Sequence, residues 1–221
     1  MPDDDSTAAV SRGMSAQLAR RDAALAEGAA QVGWKIGFNT PAIQEVFGLS
    51  QPVVGYLLDT GVTPDGASVS LAGWTAPAVE VEVAVRVGEG NEVAGLAPAL
   101  ELVDLDISFD DIEPVLAGNI CQRGVVFGAE VPAADPWAMV AAVTKLSEDG
   151  SGAVVAEGRI TEDPATTLAF VDAYLASHGA ALEPGARIIA GSVVAPVAVT
   201  PGDTLRVDFG PLGELSVRFT G

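Results

Sequence analysis

The stretch Pro77–Val87, P-A-V-E-V-E-V-A-V-R-V, restricts the fold more than any other part of the chain. In an extended strand, successive side chains point to opposite faces. Val79, Val81, Val83, Val85 and Val87 then form an unbroken apolar row, while Ala78, Glu80, Glu82, Ala84 and Arg86 share the other face. The two glutamates point the same way, with Cα atoms roughly 7 Å apart by strand rise. Two such carboxylates repel unless water, a proton or a cation lies between them. Water means a half-exposed strand with a charged outer face, as in many antiparallel sheets. A cation means a hard divalent ion, because oxygen ligands suit magnesium, manganese and calcium.

A third carboxylate lies in Ala99–Ile107, A-L-E-L-V-D-L-D-I. Read as a strand, Glu101 interrupts the row Ala99, Val103, Leu105, Ile107. A carboxylate buried in such a row must be protonated, hydrogen-bonded or bound to metal. An arginine or backbone partner would also satisfy it, and a helix over the same residues would turn it outward.

Val32–Asn39, V-G-W-K-I-G-F-N, reads as another strand. Lys35 shares a face with Gly33, Gly37 and Asn39. Glycine inside a strand weakens it and often marks the close approach of a ligand or another backbone. An ammonium there can hold a carboxylate or donate a proton, or it can be a solvated lysine on an edge strand.

The remaining elements surround these strands. An Ala-rich helix is expected over Ser11–Ala30, a short helix after Thr40-Pro41, and a strand within Gln51–Leu58. A hairpin is expected over Met139–Arg159, and a helix over Asp163–His178 with Asp163 as its cap. His178 falls in the last turn of that helix, where the dipole favours a cation. Arg187–Val199, Thr204–Phe209 and Glu214–Thr220 are further strand candidates. Strands without regular alternation with helices indicate an α+β domain. Residues 1–10 are expected to be a disordered N-terminus, and 11–221 a single catalytic domain.

Composition narrows the function. Hydrophobic residues make up 49% of the 221, enough for a sizeable core. With 11 Lys+Arg against 30 Asp+Glu, the formal net charge of −19 opposes nucleic-acid phosphates and anionic membranes. An anionic substrate therefore needs local positive charge from a metal or a placed Lys or Arg. The single cysteine, Cys121, forms no intrachain disulfide. The acidic N-terminus lacks the basic and apolar regions of a signal peptide, so a cytoplasmic location is expected.

In this order, the segments G-W-K-I-G-F, Q-P-V-V-G-Y-L, P-A-V-E-V-E-V-A-V, A-L-E-L-V-D, A-G-N with G-V-V-F-G, I-I-A-G-S and P-G-D-T-L-R-V-D-F-G-P-L-G-E-L-S-V-R-F cover about Gly33 to Phe219. They resemble the 2-keto-4-pentenoate hydratase/2-oxo-acid decarboxylase branch of the fumarylacetoacetate hydrolase superfamily. The resemblance implies one α+β domain of mixed, β-roll-like sheets with a few covering helices. It implies a divalent metal, Mg2+ or Mn2+, held by Glu80, Glu82 and Glu101, and a catalytic lysine at Lys35. It also implies substrate contacts from Lys35, Gly37, Phe38 and Ser192. The implied activity is that of a metal-dependent lyase of small 2-oxo acids, with hydration of 2-hydroxypenta-2,4-dienoate in aromatic catabolism as the type reaction. Decarboxylation of a 2-oxo-enedioate, hydrolysis of an acylpyruvate, or a non-catalytic ligand-binding role in a complex are the alternatives. The expected partners are a small anionic 2-oxo acid and further copies of the chain or a related enzyme, with neither nucleic acid nor membrane.

Two positions depart from the family pattern. Val53 stands where dienoate hydratases usually carry aspartate after the proline of Q-P, and Ala117–Cys121 reads A-G-N-I-C in place of A-D-N-A-S. Val53 cannot hydrogen-bond or ionise and Gly118 offers only backbone, so hydration is expected to suffer more than decarboxylation. Asp111 and Glu113 are the nearby acids that could substitute.

Overall fold

Pro77–Val87 and Val93–Asp104 form the longest antiparallel pair of a curled mixed sheet. The computed structural model describes residues 4–108, 110–132, 140–147, 150–160 and 163–221. In chain order the elements are α1 (Asp4–Ala26), β1 (Gln31–Gly37), α2 (Pro41–Val46), β2 (Val53–Leu58), β3 (Val62–Thr63), β4 (Ser68–Ser70), β5 (Pro77–Val87) and β6 (Val93–Asp104). There follow α3 (Ile112–Ala117), β7 (Gln122–Phe127), β8 (Val131–Pro132), β9 (Val140–Leu146), β10 (Gly152–Arg159) and α4 (Pro164–Ser177). The chain ends with β11 (Arg187–Ile189), β12 (Val197–Ala198), β13 (Thr204–Asp208) and β14 (Glu214–Thr220).

The larger sheet runs β2-β1-β11-β5-β6-β7-β3, with β12 also pairing β5 and β8 pairing β6. The smaller runs β10-β9-β13-β14-β4. The valine row of β5 packs into the main core with Leu100 and Leu102 of β6, Leu168 and Val171 of α4, and Leu205, Val207, Val217 and Phe219 of the smaller sheet. The opposite face of the larger sheet is also covered. There Leu57, Ala84, Ala97, Ala99, Val125 and Ile189 make a second, smaller cluster. The charged face of β5 is thus an interior face rather than a solvated one.

Several expectations shift. Residues 4–10, expected to be disordered, belong to α1, because the helix-favouring Ala-rich segment propagates toward the N-terminus. Helix α1 ends before Gly28, whose φ is +104. Arg187–Val199 is two short strands, β11 and β12, separated by the loop 190–196. The helix alternative for Ala99–Ile107 is excluded, since β6 pairs on both sides through Glu101. The hairpin β9–β10 forms as expected, though Met139 and two turn residues lie outside the described residues. Asp163 caps α4 by accepting from the Ala165 N–H. Among the described residues, no helix is long and apolar enough to cross a membrane.

Candidate metal centre

Register assembles the centre. Glu80 lies directly opposite Glu101, and Glu82 opposite Ala99, across β5 and β6. Residues directly opposite in a pair share a face, so all three glutamates point the same way. Each offers a carboxylate oxygen within 4.8 Å of the others. Glu82 and Glu101 are fully buried, whereas Glu80 keeps some exposure. The small neighbours Ala84, Ala97 and Ala99 leave space around the group.

Lys35 reaches this group from β1. In the order β1-β11-β5-β6, a flat sheet would hold β1 and β6 roughly 14 Å apart. The sheet curls instead, and Lys35 Nζ donates to the Glu101 carboxylate and to the Ile120 carbonyl, the latter at 2.9 Å. Gly55, the partner of Lys35 on β2, makes room for its stem: a Cβ there would lie 2.9 Å from Lys35 Cγ. The glycines beside Lys35 in sequence serve other neighbours. A Cβ on Gly33 would strike the Arg187 carbonyl, and one on Gly37 would meet Ile120 Cγ2 at 2.9 Å.

The electrostatics follow from burial. Burial pushes the Glu101 carboxyl up to about 7, with the Lys35 charge as the main opposing effect. Burial and the Glu101 and Glu80 charges drive Glu82 well above the usual carboxylate range, against a hydrogen bond from the Gly191 N–H. Burial raises Glu80 too. Burial alone would lower Lys35, but Glu101, Glu80 and Glu82 outweigh it and keep the ammonium charged. The trio is therefore short of positive charge despite the lysine. Glu82 Oε1 and Glu101 Oε2, both buried, accept from no N–H or hydroxyl among the described residues, so only a proton shared between the two carboxyls or a cation can satisfy them. Unpaired buried carboxylate oxygens are costly, and hard oxygen donors at this spacing suit a divalent cation.

The loop between β11 and β12 braces the centre. The Gly191 N–H donates to Glu82 Oε2 at 2.7 Å. Gly191 has φ +99, and a Cβ there would lie 2.2 Å from Asn39 Nδ2, so the position requires glycine. Ser192, expected on substrate, holds the loop to β5. Its Oγ accepts from the Val81 N–H and donates to the Val194 carbonyl at 2.7 Å. It lines a 180 Å³ cavity with Val83 and Val85, on the valine side of β5. Phe38 stacks on Phe47 with centroids 5.0 Å apart, its backbone left-handed at φ 57.

Of the other singled-out residues, Val53 shares the Lys35 face of the sheet and Cys121 lies near enough to feel Lys35, Glu101 and Glu80, while the rest lie away from the carboxylates. Val53 is 1% exposed in the main core, and Gly118 caps α3 at an exposed cleft lined also by Arg20, Tyr56 and Arg123. Asp111 caps α3 through the Glu113 N–H, and Glu113 pairs with Arg12 at 2.6 Å. Burial pushes the Cys121 thiol up to about 11, so it stays protonated. Burial also lowers His178, contrary to the expected helix-end cation, and its ring packs on Tyr174 at 4.8 Å.

The chain is 32% identical over 212 residues to a 4-oxalocrotonate decarboxylase of a Pseudomonas species, covering 88% of this chain and 80% of that protein. It is 30% identical over 221 residues to the 2-oxo-hept-4-ene-1,7-dioate hydratase of Escherichia coli, with 88% and 81% covered. The chain belongs to the 2-keto-4-pentenoate hydratase/2-oxo-acid decarboxylase branch of the fumarylacetoacetate hydrolase superfamily. No family model matches it. Among solved structures, the 4-oxalocrotonate decarboxylase of Pseudomonas putida G7, complexed with magnesium and adipate, superposes with a TM-score of 0.81 at 26% identity, covering 92% of this chain and 83% of that one.

Within this family member, reading the sequence missed three groups at the centre: Gly55, Asn119 and the Ile120 carbonyl. Gly55 carried a signal, a lone glycine in an apolar strand. The carbonyl carried none, because a backbone atom has no identity in sequence.

Proposed function

We propose that this chain is a divalent-metal-dependent lyase of small 2-oxo or 2-hydroxy-dienoic acids, with Glu80, Glu82 and Glu101 holding Mg2+ or Mn2+ and Lys35 acting on the substrate. One observation carries the reading: among the described residues, two buried carboxylate oxygens beside a buried lysine accept from no N–H or hydroxyl, on a fold shared with metal-complexed relatives. The metal supplies Lewis-acid polarisation of the 2-oxo acid. The chain's own part is to bind and move protons. Lys35 Nζ offers a positive charge to a substrate carboxylate or oxo group and a proton to a developing enolate oxygen. The alanine and valine cluster around the carboxylates limits water near the reacting group.

Hydration of a 2-hydroxydienoate is the first reading, and decarboxylation of a 2-oxo-enedioate the second. Val53, on the Lys35 face of the sheet, supplies no ionisable group for delivering a proton to carbon or activating water, which supports the second; Gly118 lies at a separate cleft. The partly exposed Glu80 supports access for a small acid. We also infer a cytoplasmic homo-oligomer, acting in aromatic catabolism as one catalytic domain over residues 11–221. The exposed apolar edge at Val154 and Val155 on β10 supports association between copies. Assays of both reactions in Mg2+, Mn2+ and EDTA test the function. Turnover of either substrate that requires metal supports it, and metal-independent or absent turnover of both overturns it.

A further inference from the structure

Asn119, Ile120 and Cys121 occupy consecutive left-handed backbone positions, with φ of 61, 53 and 63. Residues with a Cβ avoid this region, and a run of them persists only when the surroundings impose it. Two contacts impose it here. The Gln17 side chain of α1 donates to the Leu116 carbonyl at 3.0 Å, fixing the end of α3. The Asn119 amide then pairs with the backbone of Tyr56: its Nδ2 donates to the Tyr56 carbonyl, and the Tyr56 N–H donates to its Oδ1, both at 2.9 Å. The side chain thus satisfies both backbone groups of a β2 residue, as a neighbouring strand would.

This clamp sits one residue from Gly55, the cross-strand partner of Lys35. A Cβ on Gly55 would lie 2.7 Å from Asn119 Oδ1 and 2.9 Å from Lys35 Cγ, so amide and lysine stem share the space glycine leaves. The residue after Asn119 presents its carbonyl to Lys35 Nζ at 2.9 Å. An ammonium held by one carboxylate alone can swing about it. A second acceptor on a rigid turn fixes its direction.

We propose that Asn119 is a positioning residue for Lys35: by clamping Tyr56 it holds the left-handed turn that places the Ile120 carbonyl on the lysine ammonium. The proposal rests on the reading that Lys35 handles the substrate. Asn119 touches none of the three carboxylates, so its role separates from metal binding.

The test compares wild type with Asn119→Gly and Gly55→Ala. Glycine tolerates the left-handed backbone, so Asn119→Gly removes the clamp without adding backbone strain of its own and leaves the turn free to relax. Gly55→Ala presses on both Asn119 Oδ1 and the Lys35 stem, and so is the comparison in which the lysine is disturbed directly. Both variants should bind Mn2+, followed by electron paramagnetic resonance, within about 2-fold of wild type, with kcat lower by roughly 10–100-fold and a smaller change in KM. A crystal structure of Asn119→Gly should show the Ile120 carbonyl off Lys35 Nζ. Wild-type kcat in Asn119→Gly, or Lys35 still on the Ile120 carbonyl in that crystal, overturns the proposal. If wild type turns over neither substrate, the function proposed above fails, and the crystal structure still decides whether Asn119 positions Lys35.

Discussion

Glu80 and Glu101 face each other directly across the β5–β6 pairing, one carboxylate on each strand. Like charges directly opposite in a sheet are destabilising. Here the pair is joined by buried Glu82, and the single ammonium of Lys35 does not neutralise three carboxylates. Such an arrangement lowers stability in the absence of a cation and raises affinity for one.

Glu82→Gln separates these effects. It removes a buried ionisable group yet retains an oxygen to accept from the Gly191 N–H. Without metal, the melting temperature should hold or rise. A metal at 100 times its Kd stabilises by about 2.7 kcal/mol, roughly 5–10 °C for a domain of this size. That Mg2+-induced shift should be lost in Glu82→Gln. Thermal melts in EDTA and in Mg2+ decide it, and an undiminished shift would show that Glu82 is not a ligand.

The pH dependence has a definite sign. The Glu101 carboxyl is raised from 4.5 to about 7, so between these values the folded metal-free protein holds more protons than the unfolded chain. Metal-free stability should therefore fall as pH rises through this window. Lys35, raised above 10.5, keeps its contribution throughout and loses it only at higher pH. Mg2+ affinity should fall as pH drops, because the ligands must lose protons to bind. Denaturant titrations with EDTA and with Mg2+, at several values from about pH 5 to 8, test both slopes. Metal-free stability that rises across the window contradicts the raised carboxyl.

Lys35→Met keeps the length of the stem and removes the charge. Mn2+ binding should be unchanged or tighter, since a cation next to the site disappears. Oxalate binding to the metal-loaded protein should weaken at least about 10-fold, and turnover should fall by about 10²–10⁴-fold. Calorimetry with oxalate provides the measurement. Equal oxalate affinity in the variant would remove Lys35 from the substrate site.

Val53 and Gly118 should respond differently to aspartate. Val53→Asp places a carboxylate in the main core and should cost several kcal/mol. Gly118 has an ordinary φ of −83, and its Cβ would approach the Pro114 carbonyl at 3.2 Å, so Gly118→Asp should cost only about 1 kcal/mol. Urea unfolding compares the two. A Val53→Asp variant as stable as wild type would show that this position opens to water.

The pleat of a strand is set by backbone stereochemistry, and alternation alone put Glu80 and Glu82 on one face and set Glu101 apart from its apolar neighbours. The cap of α4 and the hairpin β9–β10 were equally local and equally legible. Tertiary structure decided what these residues meet. The charged face of β5 became interior because the sheet curls and a second cluster covers it, which no window of sequence reports. Curl brought Lys35 to Glu101, 66 residues away, and Gly55 rather than Gly33 or Gly37 gave its stem room. Ser192 braces its loop to β5 and Phe38 stacks on Phe47, contacts that no window of sequence reports. Periodicity is a property of consecutive residues, whereas register, curl and burial depend on partners far along the chain. The sequence by itself therefore determined the carboxylates and the face they share, and only the folded chain decided their depth, their spacing and the lysine beside them.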